Sequence, residues 1–204
     1  MNDINWSYEV GKLNNYLSNI SFRDVNGNDI NVEDGFSAWR KWIVDLRADK
    51  KVLYLAGNGA SASIASHMAA DLAKNALVHT QVFSDLSLIT AMANDVGYDE
   101  VYAEPLRSRG NRQDMLVAIS SSGNSNNILN AAKVARSLDM SVVTLSGMKP
   151  DNPLRSLGHL NMYLPAEGYG HTETCHAAVL HYLMDLVSVG EIKLDEGRPV
   201  ADRG

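Results

Sequence analysis

His67 and Asp71 stand four residues apart, and Glu173 and His181 eight apart, in stretches whose apolar spacing predicts helices. The first spacing puts an imidazole and a carboxylate on one helix face. The second is two turns with a drift of roughly 80° at 3.6 residues per turn, so both side chains can address one cleft. Such groups can share a substrate proton or ligate a divalent metal. Taken singly, a His/carboxylate pair is more often a solvated pair than a site, and His79 and His159 read as ordinary packing residues.

Two turns could hold an anion. Gly57-Asn58-Gly59-Ala60-Ser61 follows an apolar run and opens a helix, where free N–H groups and the positive dipole end lie. A capped turn would look the same. It matches neither G-x-G-x-x-G, since position 62 is Ala, nor a P-loop, since it lacks the lysine. Ser120-Ser121-Ser122-Gly123-Asn124-Ser125 is sharper. One serine would explain a helix cap. Four hydroxyls beside helix amides suit the three outer oxygens of a phosphate monoester. With no Lys or Arg in the turn, a sugar phosphate fits better than a nucleoside triphosphate with magnesium.

These residues need a scaffold. From Lys51 on, short apolar runs alternate with helical patterns: Val52–Ala56, Val78–Ser84, Met115–Ile119, Ser141–Leu145 and Leu160–Leu164 as strands, with a terminal helix over about Glu173–Val189. That alternation predicts an α/β domain with a mainly parallel sheet, whose ligands sit beyond the carboxyl ends of the strands. Residues 1–50 read as a helical extension that packs on the core or on another subunit, with helices over about Asp3–Ile20 and Val32–Ala48 and a loop over Ser21–Asn31. Residues 51–192 form the α/β domain and 193–204 an irregular tail.

The composition narrows the classes. The chain has 204 residues, 18 Lys and Arg against 24 Asp and Glu, and a net charge of −6. An acidic chain of this kind lacks the basic face that broad nucleic-acid binding needs. One cysteine excludes an intrachain disulfide framework and fits a reducing, cytoplasmic setting. No apolar run is long enough to span a bilayer, and the first residues lack a signal-peptide pattern, so no membrane partner is expected.

Taken in order, Gly57-Asn58-Gly59-Ala60-Ser61, Ser66 to Leu72, Ala93 to Tyr98, Ile119 to Ser125 and His171 to His181 resemble the phosphoheptose isomerase branch of the sugar isomerase (SIS) family. The resemblance runs from about Lys51 to Val189. It implies a three-layer, flavodoxin-like sandwich around a five-stranded parallel sheet, and a homotetramer with sites between subunits. It implies aldose–ketose isomerisation of sedoheptulose 7-phosphate through an enediol, for lipopolysaccharide or capsule heptose. It places Asp71 and His181 as acid/base groups, and a zinc ion on His67, Asp71, Glu173 and His181. Substrate contacts would come from Asn58, Ser61, Asn94, Asp95, Ser120, Ser121, Ser122, Ser125 and Glu173. Two positions depart from the family: Asp71 replaces a glutamate and is one methylene shorter, and Glu173 replaces a glutamine. Asn75 stands where an arginine is frequent. The rival reading within the family is a non-catalytic tetramer that binds the replication initiator protein. A sugar-phosphate-sensing regulator fits poorly, because the first fifty residues carry few basic side chains.

Overall fold

The computed structural model describes residues 5–188, so the expected tail over 193–204 lies outside the described residues. Seven strands form one sheet: β1 (Ser21–Asp24), β2 (Asp29–Ile30), β3 (Val52–Gly57), β4 (His79–Val82), β5 (Met115–Ser120), β6 (Ser141–Gly147) and β7 (Leu160–Leu164). Their order is β2-β1-β7-β6-β5-β3-β4. The five from β3 onward are parallel. Counted from β3, they run 2-1-3-4-5, with the switch point between β3 and β5. The turns Gly57–Ser61 and Ser120–Ser125 leave from the carboxyl ends of those two strands.

The helices are α1 (Trp6–Ser18), α2 (Val32–Ala48), α3 (Ala60–Asn75), α4 (Leu86–Asp95), α5 (Ala103–Arg109), α6 (Asn126–Ser137) and α7 (Tyr169–Ser188). The period-2 alternation of strand side chains explains the three layers. Leu53, Leu55, Met115 and Val117 join α2, α3 and α7 in one core. Tyr54, Ala56, Leu116 and Ala118 join α5 and α6 in the other. Burial on both faces is why these strands read as continuous apolar runs rather than alternating ones.

The sheet has seven strands, not the five expected. The segment Ser21–Asn31, expected as a loop, is instead a hairpin whose first strand pairs antiparallel with β7. Only Phe22 in this strand is fully buried, so it carries no alternating signal. Gly35 lets α2 close over it, since a Cβ there would stand 2.5 Å from the Phe22 ring. Asp24 closes the turn by accepting from the amides of Asn26 and Asn28 and from the Asn28 side chain. The edge strand β2 is two residues long, which leaves little unpaired backbone for another strand.

Helix α2 places Phe36, Trp39, Ile43 and Leu46 in the main core. Helix α1 has no buried residue and rests on the core through Leu13, Tyr16 and Leu17. It is pinned to α7 by Glu9, whose carboxylate lies 2.8 Å from His171 Nε2. No described helix is long and apolar enough to cross a membrane.

Candidate active site

The two turns expected to bind an anion meet in one small cavity of about 80 Å³, a space comparable to two or three waters. Asn58, Ser61, Ser120, Ser121, Ser122 and Ser125 all line it, with Ile119, Tyr169 and Glu173. Gly57 permits the first turn, because a Cβ there would stand 2.6 Å from the Ser61 backbone. Gly123, at φ +65°, permits the second; a Cβ there would come within 1.9 Å of Asn152 Oδ1.

Ser125 occupies the N-cap position of α6, yet its side chain makes no cap hydrogen bond. Its hydroxyl faces Ser120 Oγ at 3.2 Å instead. The Ser121 hydroxyl is buried and has no partner. An orphaned buried hydroxyl is costly unless something fills the site. Among the described residues the only charged side chain on this wall is Glu173, and no Lys or Arg lines it.

Three supporting residues were not legible in the sequence. Asn127, buried on α6, forms a reciprocal amide pair with Asn58, at 2.8 and 3.0 Å. Tyr102 donates its hydroxyl to the Gly57 carbonyl at the end of β3. Burial pushes the Tyr102 phenol up to about 12, so it remains a donor. Tyr98 donates to Asn58 Oδ1 at 3.3 Å. Together they fix the Asn58 side chain at the pocket wall.

The titratable residues gather elsewhere along the same helices. His67 and Asp71 on α3 and His181 on α7 have donor atoms all within 4.8 Å of one another. His67 Nε2 lies 3.2 Å from Asp71 Oδ2. The rings of His67 and His181 meet edge to face, with centroids 5.3 Å apart. Two imidazoles and a carboxylate with room for water match the donor chemistry of a catalytic zinc site. Glu173, expected as a fourth ligand, is not in this group: it sits at the serine pocket. Eight residues of helix rise, roughly 12 Å, separate it from His181 along α7.

Asn94 and Asp95 are not brought to the pocket wall. Both are exposed at the end of α4, where Asn94 Nδ2 donates to Asp95 Oδ1 at 2.8 Å. His176 is fully buried, with Nε2 facing the Ser146 carbonyl at 3.4 Å and Nδ1 unpaired. Desolvation pulls its pKa down to about 4, so it is neutral and structural. His159 accepts from the Val142 amide, a packing role as expected.

Comparisons with known proteins bear on the family and the fold. Residues 32–147 match the model of the SIS domain family. A phosphoheptose isomerase from Helicobacter pylori (strain P12) is 32% identical over 151 residues, covering 71% of this chain and 78% of that protein. Phosphoheptose isomerase structures share the fold. The one from Francisella tularensis has a TM-score of 0.76 at 24% identity, covering 89% of this chain and 94% of its own. The one from Neisseria gonorrhoeae has a TM-score of 0.75 at 25% identity, with the same coverage. With its serine turn at the sheet's switch point and its His–Asp–His group between α3 and α7, the chain belongs to the phosphoheptose isomerase family of SIS-domain proteins, and is an aldose–ketose isomerase.

Proposed function

We propose that the chain interconverts sedoheptulose 7-phosphate and D-glycero-D-manno-heptose 7-phosphate, in the cytoplasm, for lipopolysaccharide or capsule heptose. The observation that carries this reading is the spacing of the two halves of the site. Ser61 and His67 are six residues apart on α3, roughly 9 Å of rise, and the separation on α7 is similar. A long sugar held by its phosphate in the serine pocket would present its far carbons to the His–Asp–His group. The orphaned Ser121 hydroxyl and the unused Ser125 cap support phosphate at the near end.

At the far end the reaction needs a proton removed from C1 of the ketose and one delivered to C2. Asp71 and His181 are assigned these roles. Asp71 directs Oδ2 to His67, while among the described residues Oδ1 has no hydrogen-bond partner and is available to a substrate proton. His181 is exposed, makes no hydrogen bond among the described residues and can turn toward the enediol oxygens. His67, Asp71 and His181 would hold a zinc ion, which when bound supplies Lewis-acid polarisation of the carbonyl. The shorter Asp71 needs the substrate to approach α3 closely. Glu173, at the serine pocket, serves the sugar's hydroxyls as an acceptor in this reading.

A homotetramer completes the proposal. Trp6, Tyr8 and Val10 leave apolar surface exposed on α1, and Leu86, Val96 and Tyr98 do the same around α4. Such surface suits contact with further copies.

The test is conversion of sedoheptulose 7-phosphate to an aldose by the pure protein, followed with and without added zinc. Asp71→Asn and His181→Ala should each lose most of the rate. Either variant at full rate would overturn its role. Co-elution with the replication initiator protein and no turnover would favour the non-catalytic alternative.

A further inference from the structure

A second cavity lies behind the serine turn. The short 3-10 turn Pro153–Ser156 backs that turn, with the Leu154 amide donating to the Gly123 carbonyl at 3.1 Å. Next to Leu154, Arg155 is 8% exposed. Its guanidinium lies over the Tyr163 ring, 4.1 Å from the centroid. Nη1 donates to the Pro150 carbonyl at 2.7 Å and Nη2 to Ser21 Oγ at 3.0 Å, while Nε is buried without a partner. Among the described residues Arg155 makes no ion pair. A buried, unpaired cation is unfavourable unless an anion joins it.

Arg155 lines a cavity of about 250 Å³ that also holds Arg23, Asp24, Gly27, Asp151 and Asn152. Among the described residues, no carboxylate there forms an ion pair with Arg155. Asp24 keeps its negative charge while accepting three hydrogen bonds in the hairpin turn, and Asp151 is exposed; among the described residues neither is within ion-pair distance of Arg155. Arg23 pairs with Asp29 through Nε at 2.9 Å, leaving its terminal nitrogens available. Desolvation is the main cause lowering the Arg155 pKa, and Arg23 acts in the same direction, with Tyr163 and Asp29 opposing them. Two guanidinium forks at one polar cavity match the multiple oxygens of a phosphate better than a single carboxylate.

We propose that this cavity, between the β1–β2 hairpin and the Pro153–Ser156 turn, is a second anion site that takes the phosphate group of a small metabolite. It is separate from the serine pocket and stands whether or not that pocket holds phosphate.

The probe is inorganic phosphate, titrated calorimetrically into the full chain in an anion-poor buffer, with hydrogen exchange read over residues 150–156. Phosphate should slow exchange there in the wild type and in Ser121→Ala. Arg23→Gln should weaken that protection at least tenfold and remove one binding site per chain. Arg155→Gln should do the same; if it does not fold, the half-exposed Arg23 decides. If only the serine pocket fails to bind, one site remains, and Arg23→Gln abolishes it. Protection at 150–156 that survives both substitutions, or no protection in the wild type, overturns the proposal. Equal protection by acetate overturns the phosphate assignment.

Discussion

The serine pocket and the His–Asp–His group share two helices but are built from opposite materials. The pocket is made of hydroxyls and amides fixed by neighbours: Ser61, Ser120 and Ser121 are buried, and Asn58 is locked by Asn127 and two tyrosines. Such a frame would need little reorganisation to take an anion, beyond turning the Ser120 and Ser125 hydroxyls away from each other, which suits a chain of net charge −6. The other group is made of side chains that titrate, and it is open: the His67 side chain is 60% exposed and Asp71 27%. In the proposed reaction the first region would hold the phosphate and the second would move the proton. That division is possible because α3 begins at the serine pocket and the first turns of α7 line it, while both helices carry His67, Asp71 and His181 further along.

Substitutions that confuse the two regions should behave differently. The largest effect is expected from Asp71→Asn or His181→Ala. Steady-state kinetics should show kcat falling by about 10²–10⁴-fold with KM little changed, the range of general acid–base catalysis. Ser121→Ala should do the reverse, raising KM by about 10–100-fold at nearly constant kcat, since a hydrogen bond to a charged group is worth about 1.5–3 kcal/mol. If both variants altered the same constant, the division would be false.

Smaller effects probe the pocket's frame. His176 lies fully buried against Ser146, and its pKa is about 4 against 6.5 in the unfolded chain. The unfolded state therefore takes up the proton first, so stability is intact above pH 6.5 and declines as pH falls toward about 4. The total loss is about 3 kcal/mol at most, and urea midpoints at pH 7.5 and 4.5 should show it. His176→Gln should flatten that slope. Gly123→Ala should cost about 1–2 kcal/mol from its φ of +65° alone, plus the clash with Asn152, read from urea unfolding. The smallest effect is Glu173→Gln. Gln keeps an acceptor for the sugar's hydroxyls but removes the negative charge that would face the phosphate, so KM should fall severalfold, and an increase would show that the charge aids binding.

Much of this was legible beforehand, for identifiable reasons. Strands buried on both faces read as apolar runs, so β3, β5, β6 and β7 could be placed, and with them the two turns. The hairpin was not legible, because Ser21–Asp24 has one apolar residue and its Asn26-Gly27-Asn28 turn looks like any loop. His67, Asp71 and His181 were suggested by helical spacing and family resemblance. Glu173 joins His181 as a ligand only through the family resemblance; the eight-residue spacing itself puts roughly 12 Å of helix rise between them. Asn127 and Tyr102 left no signal. A polar residue on α6 and a tyrosine before α5 acquire meaning only when the topology brings them to Asn58, 69 and 44 residues away in sequence.

The most direct test of the account is turnover of sedoheptulose 7-phosphate in D2O, followed by NMR. An exposed acid/base group passing a proton through an enediol predicts an aldose carrying solvent deuterium at C2, and its disappearance in His181→Ala. Absence of any aldose from the wild type, with and without added zinc, would contradict it, as would an aldose formed at full rate by Asp71→Asn and His181→Ala alike.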